Sequence, residues 1–272
     1  MNADPRQPPV VLTIAGSDNS GGAGIQADLK TISAYGCYAL TAVTCVVAEV
    51  PGRVSSIQSV RQSVLREQIA LSLSAFPVAA VKTGMLYSGM LVGAVADQLA
   101  LAKTAHSSLP VVVDPVMVAT SGHLLLQRKA VALYRSRVFP LATIVTPNVD
   151  ELRELTGRSI RDVETLADAG KALSDSTGCA VLAKGGHLRG EIAVDLLISA
   201  QGVERFEGPF VPGVSTHGTG CTLSAAIASG LALGDSLSEA VRKAKLYVYR
   251  CIRDHLRWNS TEALSHFSKA AF

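Results

Sequence analysis

Val10-Val11-Leu12-Thr13-Ile14-Ala15-Gly16-Ser17-Asp18-Asn19-Ser20-Gly21-Gly22-Ala23-Gly24-Ile25-Gln26-Ala27-Asp28 holds the choice of fold. The apolar run from Val10 to Ile14 reads as a buried strand, and the segment from Ala23 to Ala34 carries its apolar residues at helical spacing. Strand, glycine-rich turn and helix together make a βα unit. Within it, Gly22-Ala23-Gly24-Ile25-Gln26-Ala27 matches the G-x-G-x-x-A dinucleotide fingerprint. Glu49, at the end of the next strand, would be its ribose acid, so a nicotinamide-dependent oxidoreductase is one reading. Two features count against it. Ser17-Asp18-Asn19-Ser20 lengthens a turn that the dinucleotide fold keeps tight, and Asp18 stands where a pyrophosphate would be repelled. The other use of such a loop is contact with a neutral small substrate through backbone groups and Asp28. Asp28 facing water from its helix is the purely structural alternative.

The same alternation continues outward. Runs rich in Val, Ile and Leu recur at Leu40 to Val47, Ala79 to Lys82, Val111 to Asp114, Thr143 to Thr146, Ala180 to Lys184 and Ala193 to Ser199. Amphipathic segments lie between them at Arg61 to Ser74, Gly89 to Lys103, Gln127 to Val138 and Asp162 to Thr177. This predicts an α/β fold with a mostly parallel central sheet and helices on both faces. Val194 to Ala200 and Val203 to Phe210 read as an edge hairpin, and helices from Cys221 and from Ser236 to His255 close the chain. The expected organisation is a disordered leader over residues 1–9 and one domain over 10–272.

Composition narrows the function. A net charge of +3 on 272 residues, with no run of Lys or Arg, argues against nucleic acid or a polybasic membrane contact and for small-molecule partners. Apolar runs are too short or too interrupted to span a bilayer. Five cysteines without a CxxC pair do not form a disulfide framework, which fits the reducing cytoplasm; Cys37, Cys45, Cys179 and Cys251 are expected to pack as small hydrophobes.

In open parallel sheets, ligands bind beyond the carboxyl ends of the strands. Those exits carry Gly16-Ser17-Asp18, Glu49, Lys82-Thr83-Gly84-Met85, Asp114-Pro115, Thr146-Pro147-Asn148 and Lys184-Gly185-Gly186-His187. Acids and lysines at so many exits point to a shared site. The stretch Ser215-Thr216-His217-Gly218-Thr219-Gly220-Cys221 then puts small residues where a long helix begins. First-turn N–H groups without helical partners, together with the helix dipole, make an anion site there. Gly218 and Gly220 let backbone approach a phosphate, and the same field favours thiolate at Cys221. The structural alternative is a helix start capped by Ser215 or Thr216.

These motifs, in this order over nearly the whole chain, resemble bacterial hydroxymethylpyrimidine/phosphomethylpyrimidine kinases of thiamine biosynthesis, in the ribokinase-like superfamily. The matching residues are Ala15-Gly16-Ser17-Asp18, Gly21 to Asp28, Lys82 to Met85, Val113 to Met117, Thr146 to Asn148 with Glu151, Lys184 to His187 and His217 to Cys221. The resemblance implies a three-layer fold, usually dimeric, and transfer of the γ-phosphoryl of ATP to 4-amino-5-hydroxymethyl-2-methylpyrimidine, often followed by a second transfer to the monophosphate. It also implies roles. Gly218, Thr219, Gly220 and Cys221 surround the transferring phosphoryl, Lys184 neutralises it, and Asn148 and Thr216 join the nucleotide site. Asp114 and Glu151 lie near Mg2+, while Gly16, Asp28, Val47, Glu49 and Met85 form the pyrimidine pocket. Asp114 capping its turn and Glu151 opening a helix are the bland alternatives. Cys221 would either accept the substrate's hydroxyl proton or act by its shape.

One departure stands inside that pocket. Most family members carry glutamine, followed by Asn-Thr, where this chain has Glu49-Val50-Pro51. A glutamine amide satisfies a donor and an acceptor together, whereas an ionised glutamate only accepts. The difference keeps pyridoxal kinase, which uses the same scaffold on a pyridine alcohol, as the nearest alternative; a catalytically silent pyrimidine-binding module is a further one.

Overall fold

The computed structural model describes residues 7–117, 128–186, 188, 192–214, 217–259 and 261–267. The opening βα unit forms as read, except that β1 (Val10–Asp18) runs on through part of the polar insert before α1 (Gly24–Ala34) begins. The strands that follow are β2 (Tyr38–Val50), β3 (Arg53–Ser59), β4 (Val78–Thr83), β5 (Val111–Val113), β6 (Ile144–Val145), β7 (Ala180–Lys184), β8 (Ile192–Ser199) and β9 (Gly202–Pro209). They form one nine-stranded sheet in the order β3-β2-β1-β4-β5-β6-β7-β8-β9. Pairing is parallel from β2 to β7 and antiparallel at both ends, where β3 folds back on β2 and β8 and β9 form the edge hairpin. Pro9 already belongs to this frame, its carbonyl accepting the Tyr38 N–H at 2.8 Å.

Strand side chains alternate between two cores, as a sheet covered on both faces requires. Leu12, Val81, Val111, Val113 and Val181 face α2 (Gln62–Ala75), α3 (Gly89–Ala105), α4 (Arg128–Leu133), α5 (Val149–Thr156) and α6 (Val163–Thr177). Val11, Ala80, Val112 and Leu182 face α1, α7 (Thr219–Ala232) and α8 (Leu237–Arg253). Three layers result. The chain winds outward from β1 to β2 and β3, then crosses to β4 on the other side of β1, so the switch point where such folds open a crevice lies between β1 and β4.

Differences from the sequence reading are local. The exposed, polar β3 lacks an apolar run, so only the Pro51-Gly52 turn announces it, with Gly52 at φ +83°. The helix expected to end at Val138 stops at Leu133 and widens into a π-type turn over Tyr134–Val138. A short hairpin, β10 (Leu256–Trp258) and β11 (Thr261–Ala263), follows α8. Among the described residues no helix is long and apolar enough to cross a membrane.

Candidate active site

Because β1, β4, β5, β6 and β7 are parallel, their exits share one rim, and the start of α7 reaches it from the helical layer. The N-cap of α7 is Gly218, at φ +84°, and among the described residues no side-chain cap bond is present. Ser215 and Thr216, the expected caps, lie outside the described residues. The two expected phosphate glycines serve different ends. A Cβ on Gly218 would stand 1.8 Å from the Gly22 carbonyl oxygen, so this glycine lets the α7 start dock on the glycine loop before α1. A Cβ on Gly220 would instead meet Lys184 Nζ at 3.3 Å and Asp114 Oδ2 at 3.4 Å. Gly220 therefore faces the charged groups of the site.

Those groups converge from three strand exits. Lys184 Nζ lies 3.2 Å from Asp114 Oδ1, and Asp114 also accepts from Thr146 Oγ1 at 3.3 Å and, through Oδ2, from Ser224 Oγ at 3.4 Å. Burial opposes the Lys184 charge, but Asp114 and Glu151 hold its pKa above the usual value. Glu151 and Asn148 do open a helix, as the bland alternative had it. They form the capping box of α5: Asn148 Oδ1 accepts the Glu151 N–H at 2.9 Å, and Glu151 Oε2 accepts the Asn148 N–H at 2.8 Å. Burial pushes the Glu151 carboxyl up to about 7, with Lys184 pulling it down and Asp114 pushing it up. Two buried carboxylates beside one ammonium fit a hard divalent cation, which would offset their negative charge.

At the switch point, Asp28 is fully buried, not facing water. Lys82 Nζ donates to its two oxygens at 2.9 and 2.8 Å, and Thr13 Oγ1 donates at 2.6 Å. Thr13 and Lys82 are register partners on β1 and β4, so Asp28 ties α1 to both strands. Burial works against the Lys82 charge, and Asp28 keeps it protonated. Beside this pair, Cys45, Val47 and Met85 form a small apolar cluster at the rim, where a Cβ on Gly16 would come within 2.9 Å of Cys45 Sγ.

Asp18 confirms the objection to a dinucleotide site. Its carboxylate accepts the Ser20 and Ala23 N–H groups at 2.7 and 2.8 Å, occupying the loop amides a pyrophosphate would need. Burial pushes Asp18 up, but its bonds to His217, Ser20 and Ala23 prevail and hold its pKa at about 2. His217 Nε2 lies 3.2 Å from Asp18 Oδ2, and this bond holds the histidine above its usual pKa. Glu49 comes next to both and is raised by burial and then by Asp18, with His217 opposing.

The thiolate expected at Cys221 needs correction. Cys221 is partly exposed, yet burial pushes the thiol up to about 11, so desolvation outweighs the helix field. The other four cysteines are free and buried, as expected. Sequence reasoning assigned no task to Lys82 or Ser224, and placed His217 beside the phosphate region as a positioning residue. Lys82 stood in a quoted motif, and Ser224 lies four residues beyond Gly220 on α7, the spacing that returns a side chain to the same helix face.

A lysine, two buried carboxylates and a glycine-flanked helix start, on the rim of a three-layer α/β sheet, define a phosphotransferase of the ribokinase-like class. The sequence matches the phosphomethylpyrimidine kinase family over residues 18–265, and the chain belongs to that family. It is 44% identical over 244 residues to the hydroxymethylpyrimidine/phosphomethylpyrimidine kinase of Rhizobium meliloti, covering 89% of this chain and 90% of that one. It is also 44% identical over 243 residues to the thiamine biosynthesis bifunctional protein ThiED of Geobacter sulfurreducens, covering 89% of this chain but only 49% of that longer protein. An ADP complex of Bacillus subtilis pyridoxal kinase superposes with a TM-score of 0.87 at 33% identity, covering 96% of this chain and 98% of that one.

Proposed function

We propose that this enzyme transfers the γ-phosphoryl of ATP to the hydroxymethyl oxygen of 4-amino-5-hydroxymethyl-2-methylpyrimidine, and then a second phosphoryl to the monophosphate. The observation that carries the reading is Gly220, which brings the start of α7 against Lys184 Nζ and the Asp114 carboxylate together. Phosphoryl transfer asks for alignment and for compensation of charge on the equatorial oxygens, and these groups supply both. Gly218, Thr219 and Gly220 offer backbone amides to the phosphates, with Asn148 and Thr216 beside the nucleotide. Asp114 and Glu151 would hold Mg2+ through its waters, and the ion would offset phosphate charge.

Gly16, Val47 and Met85 would take the pyrimidine ring, with Glu49 at its polar edge. Asp28, sealed under Lys82, supports this pocket from below. The acceptor oxygen bonds to the γ-phosphorus as the bond to ADP breaks, and Cys221 stands beside the hydroxyl that loses its proton. The same reading makes the protein a cytoplasmic homodimer with one kinase domain over 10–272.

The test is mass analysis of products after incubation with ATP, Mg2+ and the aminopyrimidine alcohol, run in parallel with pyridoxal. Mono- and diphosphorylated pyrimidine are expected. Faster phosphorylation of pyridoxal would move the protein to the activity named for the Bacillus subtilis enzyme, and no phosphorylation of either would overturn the kinase reading.

A further inference from the structure

His266 follows β11, beyond the last strand of the fold, yet it is buried. The stretch that carries it is fastened to the helical layer. Leu264 joins the core of α7 and α8, the Ser265 N–H donates to the Cys251 carbonyl at 3.1 Å, and the Tyr247 hydroxyl donates to the His266 carbonyl at 3.4 Å. From there the imidazole reaches the first turn of α7, where His266 Nε2 lies 3.0 Å from Thr222 Oγ1. Thr222 is fully buried, four residues beyond the N-cap Gly218, and it closes that turn twice. The Gly218 carbonyl accepts the Thr222 N–H and the Thr222 hydroxyl, each at 2.9 Å. A planar trans peptide points its carbonyl and its N–H in opposite directions, so a carbonyl held along the helix aims the Thr219 N–H out of its end.

Burial pushes the imidazole down to about 4, so the ring is neutral and carries one proton, for which the Leu264 backbone and Thr222 compete. The Thr222 hydroxyl has one hydrogen, and the Gly218 carbonyl can only accept. With that hydrogen on the carbonyl, the hydroxyl oxygen is left to accept from the ring. We propose that His266 is a positioning residue for phosphoryl transfer: its Nε2–H holds the Thr222 hydroxyl on the Gly218 carbonyl and thereby aims the Thr219 N–H at the phosphate. This rests on the reading of the α7 start as the phosphate site. No bond of this relay breaks in the cycle; it sets a direction.

The experiment compares the parent with His266→Leu, His266→Gln, His266→Asn, Thr222→Val and the double variant Thr222→Val/His266→Leu. Steady-state kinetics use whichever of the two alcohols the parent phosphorylates, and calorimetric titration uses ATP with Mg2+. A glutamine amide puts an N–H near the place of Nε2, and asparagine puts one near Nδ1, so only glutamine keeps the relay. His266→Leu, His266→Asn and Thr222→Val are expected to lower kcat about tenfold and to weaken ATP about threefold or more, the worth of about one hydrogen bond. His266→Gln stays within about threefold of the parent, and KM for the alcohol stays within about twofold throughout. The double variant replaces both partners by apolar groups of similar size, which returns stability to denaturant without returning kcat, and it keeps the test readable should His266→Leu not fold. Recovery of kcat along with stability in the double variant would reduce His266 to packing and overturn the proposal. So would an asparagine variant as active as the glutamine one, or parent-like kcat and ATP affinity in Thr222→Val. A parent that phosphorylates neither alcohol ends the kinase reading by itself; the ATP titration then decides on His266, and equal dissociation constants in parent, His266→Leu and Thr222→Val overturn it.

Discussion

Two lysine–aspartate pairs stand at exits of the parallel strands, and they are built differently. Lys82 and Asp28 are sealed, with side chains at 0% and 0% exposure and Nζ bonded to both carboxylate oxygens. Lys184 and Asp114 are looser, at 14% and 3% exposure with one contact of 3.2 Å, and they open toward Gly220. A pair that must release its lysine to a phosphate in every cycle cannot be bonded as tightly as one that never meets the ligand. The contact geometry thus suits the open pair to the phosphate role proposed for Lys184 and the sealed pair to holding the frame.

The largest effect that would break this contrast is on stability. Lys82→Met leaves Asp28 charged and buried, and removing one partner of such a pair costs about 3–5 kcal/mol. Chemical denaturation of Lys82→Met and of the neutral double variant Lys82→Met/Asp28→Asn measures it. Equal stability of parent and single variant would mean that the sealed pair bears no load. Lys184→Ala should show the opposite balance. Its partner Asp114 keeps Thr146 and Ser224, so the fold survives, while loss of a group aimed at transition-state charge lowers kcat by about 10²–10³. Steady-state kinetics with an unchanged kcat would place the phosphate elsewhere.

A pH effect sharpens the same contrast, because the open end titrates near neutrality. Folding raises the Glu151 carboxyl from 4.5 to about 7, so the folded protein binds the extra proton between those values. Stability from this group is therefore present in acid and lost as pH rises through that window, by on the order of 1–3 kcal/mol. Denaturation at pH 4.5 and pH 8 without Mg2+ should show this slope in the parent and lose it in Glu151→Gln, which keeps an oxygen for the Asn148 N–H. The same slope in both proteins would remove Glu151 as its source.

Much of this was legible in the sequence where local chemistry decides. Alternating apolar runs gave the layers, and polar residues at strand exits located Asp114 and Lys184. What was not legible depends on burial and on approach through space. Lys82 is one more polar letter at a strand end until α1 brings Asp28 over it, and β3 offers only Val54 and Ile57, out of step with a strand's alternation, to betray it. Gly218 and Gly220 look alike in the sequence, yet one is required by a backbone carbonyl and the other faces charge. For Cys221 the helix start was visible and the desolvation that outweighs it was not.

The smallest expected effect lies at the far end of the rim, where Glu49 has no cation paired to it as tightly as either aspartate has. Burial and then Asp18 raise its carboxyl, and His217 opposes them, so its charge is set by neighbours that themselves hold one another. An aminopyrimidine edge presents a donor beside a ring-nitrogen acceptor. An ionised Glu49 meets only the donor, so a two-bond match requires one proton carried by either the ring or the carboxyl. Glutamine supplies both groups at any pH. Glu49→Gln should therefore flatten the pH dependence of KM for the aminopyrimidine and change KM by up to about tenfold, the worth of one hydrogen bond, while kcat with ATP stays near the parent's. Parallel pH profiles and the same order of preference among several pyrimidines and pyridoxal would show that Glu49 never touches the ring. The rim would then divide into a working end at Gly220 and an end whose Asp18–His217 pair only holds the glycine loop in place.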